Sequence, residues 1–148
     1  MDRVLGLFVL SFVVAGSATA WADGGAQGGY ASGVSSVILQ RATTTSDGAP
    51  IAYPRTERPE VTAAQVTIAP GAETGWHKHP IPLYAYVEQG ALEVRFDDGR
   101  VSAFQAGDAI FEVVDTWHNG VNVGDTEVRL VVFYLGVADE PTTIRRTD

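Results

Sequence analysis

Apolar and polar residues alternate in short runs along most of this chain, and Gly, Asp, Asn or Pro breaks the runs at roughly 8 to 12 residue intervals, the mark of an all-β protein. The alternation predicts strands at Val61–Ile68, Leu83–Glu88, Leu92–Phe96, Val101–Phe104, Ala109–Val114 and Val128–Leu135, with an earlier one at Val34–Arg41. Turns fall at Pro70-Gly71, Gln89-Gly90, Asp97-Asp98-Gly99, Ala106-Gly107-Asp108, Asn119-Gly120 and Gly124-Asp125. Asp98-Gly99 is a two-residue hairpin signal, because both residues tolerate the positive φ such a turn needs. Tyr53–Glu60, with two prolines and alternating charge, should run extended as a loop or barrel edge. No stretch keeps a helical period. The expected fold is therefore a small sandwich or barrel, and closure into a barrel would leave no open sheet edge.

Within such a barrel, Leu83, Ala85 and Val87 share one strand face, assigned to the interior, while Tyr84 and Tyr86 take the other. Trp76 and Trp117 join those tyrosines as residues that pack between sheets or across a dimer. Phe111 is the aromatic assigned to a pocket wall. Leu83, Ala85, Val87 and Phe111 would then line a pocket with few charges, which favours a small, mostly apolar ligand held by one or two polar atoms.

The ends of the chain read differently. Residues 1–22 carry Arg3, an apolar run from Val4 to Val14 and a small-x-small triplet, the pattern of a cleaved secretory signal. That run is shorter than the ~20 residues a membrane span requires. Export to the periplasm or outside the cell is the expectation, with no membrane attachment after cleavage. A Gly-rich lead follows over residues 23–33, then the barrel over 34–138 and a C-terminal tail over 139–148.

Composition narrows the partners and the donors. At 148 residues and 45% hydrophobic content the chain can bury one domain core. The net charge of −8 argues against nucleic acid and anionic membranes. A small-molecule ligand or substrate remains, and a homodimer stays open. There is no Cys, and Met1 is the only Met, so any metal site must use nitrogen and oxygen donors.

Such a site is suggested by the histidines. His77 and His79 in WHKHP point to the same strand face, preplaced for one ion, and His118 follows a turn and an apolar strand. Surface or structural histidines would give the same H-x-H, so the pair alone is weak. Three neutral imidazoles with open positions suit Fe(II), Zn, Cu or Ni better than Mg or Ca. Protonation of ordinary imidazoles would cost metal affinity below about pH 6.5.

The two His-bearing stretches, GAETGWHKHPIPLYAYVEQG and GDAIFEVVDTWHNGVN, resemble the two motifs of the cupin superfamily, G-x5-H-x-H-x3-4-E-x6-G and G-x5-P-x-G-x2-H-x3-N. Gly71, His77, His79 and Gly90 match the first; Gly107, His118 and Asn122 match the second. The resemblance implies a single-domain cupin of the conserved β-barrel type, a jelly-roll-like double-stranded β-helix, with His77, His79 and His118 as metal ligands. The family's glutamate ligand falls on Leu83, or on Tyr84 at the other spacing, and Val113 and Asp115 replace the usual Pro and Gly.

A three-histidine site without that acid is thus implied. Fe(II) comes first, with Zn, Cu, Ni or Mn as alternatives. Three-histidine cupins include dioxygenases of thiols and diketones, so the implied function is an oxygenase-type metal enzyme acting on a small organic molecule. A non-catalytic metal or small-ligand binding protein is the alternative. Glu112 and Glu73 are candidates to replace the missing acid, but both are expected to be exposed surface carboxylates, and Asn122 to bond a turn.

Overall fold

The computed structural model describes residues 31–147, so the secretory signal expected over residues 1–22 and most of the Gly-rich lead expected over 23–33 lie outside the described residues. The chain divides into two units, Met1–Ser36 and Val37–Asp148, and the barrel belongs to the second. No described helix is long and apolar enough to cross a membrane.

Nine strands form two antiparallel sheets among the described residues. They are β1 (Pro59–Ile68), β2 (His77–Lys78), β3 (Leu83–Gln89), β4 (Ala91–Phe96), β5 (Val101–Gln105), β6 (Ala109–Phe111), β7 (His118–Asn122), β8 (Val128–Val137) and β9 (Ile144–Arg145). One sheet runs β1-β8-β3-β6 and the other β5-β4-β7-β2-β9. The long strands follow the alternation closely. The hairpin between β4 and β5 forms at the expected place but not as a two-residue turn: Phe96 N–H bonds the Arg100 carbonyl at 2.9 Å across a three-residue loop, Asp97–Gly99, in which Gly99 takes a positive φ of 87, Asp98 does not, and the Gly99 N–H is donated to the Phe96 carbonyl at 3.0 Å.

The inward faces make the core. Leu83, Ala85 and Val87 of β3 meet Leu130 and Val132 of β8, Ile68 of β1 and Ile110 of β6, and Leu92, Val94 and Phe96 of β4 close over them. Each such side chain contributes about 1.5–3 kcal/mol when fully buried. The outward face of the first sheet is also apolar. Tyr84 pairs with both Phe133 and Phe111, and Tyr86 with Val131 and Ala109, leaving Phe133 45% and Tyr86 38% exposed.

Three expectations fail in this unit. Val34–Arg41 forms no strand, and Val37, Ile38 and Leu39 are exposed: β-branched composition favours extended chain, but nothing pairs with it. The strand expected at Ala109–Val114 stops at Phe111, because Asp115 follows in a left-handed conformation at φ 54. That position is where the family motif carries glycine. Asp is one of the few residues that tolerate it, and here its N–H bonds the His79 carbonyl at 2.8 Å while its carboxylate takes Lys78 at 3.1 Å. The turn expected at Asn119-Gly120, finally, is not one: both residues lie inside β7, opposite Arg95 and Val94 of β4, and within the C-terminal tail β9 pairs with β2 as the edge of the same sheet.

Gly90 shows what a motif glycine does. It sits at φ 89, and a Cβ there would lie 2.7 Å from the Glu127 carbonyl oxygen and 2.8 Å from Val128. Both objections are backbone ones, so no rotamer relieves them. Gly90→Ala should therefore destabilise the protein by about 2 kcal/mol or more, read as a lower midpoint in urea with an unchanged slope; a midpoint like the wild type's would contradict the packing described.

Candidate metal centre

The register of β2 against β7 sets His77 directly opposite His118, and His79 lies two residues further along on the face of His77. The three rings gather accordingly. Centroids are 4.4 Å apart for His77–His118, 5.0 Å for His77–His79 and 5.3 Å for His79–His118, and one donor atom from each lies within 4.8 Å of the others.

Their hydrogen bonds decide which nitrogen is available. His77 Nδ1 lies 2.7 Å from the Gly75 carbonyl, His79 Nδ1 2.8 Å from that of Thr142, and His118 Nδ1 2.8 Å from that of Thr116. A carbonyl oxygen only accepts, so each Nδ1 carries the hydrogen and each Nε2 keeps its lone pair. This is how protein ligands to a metal are usually oriented from behind. Thr74 and Thr143 hydroxyls stand 3.4 and 3.2 Å from the Nδ1 atoms of His77 and His79.

Burial keeps those lone pairs free. His79 is 4% and His118 2% exposed, and desolvation holds all three imidazoles below their ordinary 6.5, with His79 at about 4. The carbonyl bonds pull the other way and lose. The acid limit expected from unperturbed histidines therefore moves down. Three neutral nitrogens converging in a site with no sulfur fit a divalent transition ion, and His77, His79 and His118 would hold it.

The tail fixes one ligand from outside. Arg146 donates its N–H to the Trp76 carbonyl at 3.0 Å, and its guanidinium lies 5.3 Å from the Trp76 ring, 4.7 Å from the Trp117 ring and 3.0 Å from Asp97 Oδ2. This cation between two indoles anchors the segment whose Thr142 carbonyl orients His79. The two tryptophans preceding metal-ligand candidates thus face away from the site, and the tail they hold had no signal in hydropathy.

Below the histidines lies a cavity of about 220 Å³. Leu83, Ala85, Leu92, Val94, Ile110, Leu130 and Val132 give it apolar walls, and Glu112, Tyr134 and Arg145 add polar groups. Two of the expected pocket residues are elsewhere. Val87 is fully buried in the core but does not line the cavity, and Phe111 pairs with Tyr84 on the outer face, its ring 5.5 Å away. The reason is strand parity: Phe111 sits opposite outward Tyr84, so Ile110 and then Glu112 point inward.

Glu112 is accordingly no surface carboxylate. It is 8% exposed, and burial raises it to about 7 against the lowering effects of the Val113 N–H and of His77. Tyr134, edge-on to His79 at 5.6 Å, is raised by burial and by Glu112. Glu73, by contrast, is exposed and accepts from Asn119 Nδ2 at 2.8 Å. Asn122 bonds the carbonyls of Ile68 and Thr126 and the N–H of Gly124, tying β7 to its turn.

Comparison with known proteins agrees with this architecture. The family described as "Cupin domain" matches residues 64–134. Among solved structures, a Lactobacillus farciminis oxalate decarboxylase in complex with formate is 28% identical over 57% of this chain and 26% of its own, with a TM-score of 0.50. An oxalate oxidase is 26% identical over 57% of this chain and 45% of its own, with a TM-score of 0.48. A double-stranded β-helix protein of Klebsiella pneumoniae is 19% identical over 64% of this chain and 90% of its own, with a TM-score of 0.49. This chain spans less than half of either oxalate enzyme. A search of curated protein sequences finds no match.

The titrating groups of the metal-free protein oppose one another. Lowered histidines stabilise the fold fully above 6.5, and that contribution is lost as pH falls, ending near 4 for His79. Glu112, raised to about 7 from 4.5, stabilises fully below 4.5 and loses that contribution as pH rises through 7. Three groups outweigh one, so Tm should fall between about pH 6.5 and 4. Glu112→Gln should steepen the fall by removing the opposing group, and a flat or rising Tm in the wild type would contradict the burial of the histidines.

Proposed function

Because this chain is a cupin, we propose that it is an exported, mononuclear metal enzyme of oxygenase type that acts on a small organic molecule. The observation that carries the reading is the convergence of three buried imidazoles, each with its Nδ1 hydrogen committed to a carbonyl, on one end of a small apolar cavity. A divalent transition ion bound by them, Fe(II) first, supplies a Lewis-acidic and redox-capable centre with positions left open for a ligand. The protein's own part is to hold the imidazoles neutral, to wall the cavity with the apolar side chains of Leu83, Val94, Ile110 and Val132, and to limit what enters by size. Roughly 150 Å³ suffices for benzene, so this cavity admits a single ring or a short chain.

The apolar residue at Leu83 supports the oxygenase class. Leu83 stands where the family motif carries a glutamate ligand and has no donor atom to offer, so His77, His79 and His118 would be the protein's ligands and an ion held by them would remain open to a small molecule. The first relative described above is a decarboxylase of a small acid, which supports small-molecule chemistry in this type of barrel. Export rests on the signal-like residues 1–22.

Anaerobic reconstitution with Fe(II), followed by oxygen-electrode assays against a panel of diketones, thiols and phenols, tests the reading. Substrate-dependent oxygen uptake at least about tenfold above an iron-only blank is expected, with Mn, Cu and Ni forms as comparison. Retention of metal with no turnover on any of the panel would instead assign a binding protein.

A further inference from the structure

The last strand brings one cation into the cavity wall. Arg145 of β9 stands directly opposite His77 of β2, and directly opposite residues of an antiparallel pair project to the same face. Its neighbours keep the alternation: Thr143, two residues earlier, also lines the cavity, while Arg146 turns outward onto the Trp76 and Trp117 rings. Arg145 is exposed as well as part of the wall, so its side chain stands where the cavity meets solvent, beside the imidazole cluster. It lies beyond residues 64–134, the part of the chain that matches the cupin family, so the family match does not supply it.

The charge is uncommitted. Arg58, Lys78, Arg95, Arg100, Arg129 and Arg146 each pair with a carboxylate, whereas no ion pair and no cation–π contact among the described residues includes Arg145. Glu112 is the one carboxyl in the cavity wall, and no ion pair joins the two. The guanidinium keeps its charge at any ordinary pH.

Resting on the reading of this cavity as the ligand site of a metal enzyme, we propose that Arg145 sets substrate specificity: it holds the carboxylate of a small organic acid whose apolar body fills the cavity. The guanidinium is a planar fork, and a carboxylate offers two oxygens that it takes together. Leu83, Ala85, Ile110 and Val132 pack against the body. A neutral ligand of the same shape gains the same apolar burial but nothing from the cation, so a charge at one end is what the site selects.

Fluorine NMR of the full-length protein with 4-fluorobenzoate and 4-fluorobenzamide, a charged and a neutral probe of one shape, tests this without turnover, in zinc-loaded and in metal-free protein. Arg145→Gln and Arg145→Met should keep one zinc per chain and bind the benzoate about tenfold or more weakly in both forms, with benzamide binding unchanged. Arg145→Lys, which keeps the charge and loses the fork, should fall between. Wild-type benzoate affinity in the Gln and Met variants overturns the inference. So does an equal loss for benzoate and benzamide, which would make Arg145 a structural part of the mouth, and so does a wild type that binds no benzoate in either form. Protein that takes up no zinc overturns the metal-centre reading, while the metal-free comparison still decides for or against Arg145.

Discussion

Each of three imidazoles here has one hydrogen and one lone pair, and the backbone has already claimed the hydrogen. Burial then blocks the usual escape, which is to take up a second proton and become a cation. Three lone pairs left facing one another repel unless something positive sits between them. Neutral nitrogens and short mutual distances are thus a single constraint, and a bound metal ion would relieve it.

Much of the fold serves that constraint. β2 is two residues long and would not hold a place alone, yet it is pinned between β7 and β9, with His77 opposite His118 on one side and Arg145 on the other. Thr142 orients His79 from a segment held by the pairing of β9 with β2 and by Arg146 between Trp76 and Trp117. Asp115, at its left-handed φ, turns the chain away from β6 in time to bring His118 back into register. The long strands β1, β3, β4 and β8 supply burial and leave the space beneath the site.

Legibility in the sequence followed the physics of periodicity. Strands of five or more residues announce themselves by alternation, except β7, whose Asn119-Gly120 reads as a turn, and the shared face of His77 and His79 was legible in the same way. The family motifs brought His118 to the same site across 39 residues of chain, which no local pattern could do. Strands as short as β2 and β9 carry too few residues to show a period, and β9 is paired only through tertiary contacts. Glu112 was misplaced on the surface, and Phe111 in the pocket, through one error of parity at the β3–β6 register. Pairing Ile110 with inward Ala85 reverses both. Val34–Arg41 is the opposite case, with the composition of a strand but no partner within the described chain.

The most direct measurement is the metal content of tag-free protein, purified without chelator, compared with that of His118→Ala. One transition-metal ion per chain in the wild type, and close to none in a folded variant, is the predicted result. Wild-type protein that stays metal-free after incubation with Fe(II) and Zn(II), or a variant that keeps its full complement, would contradict the account.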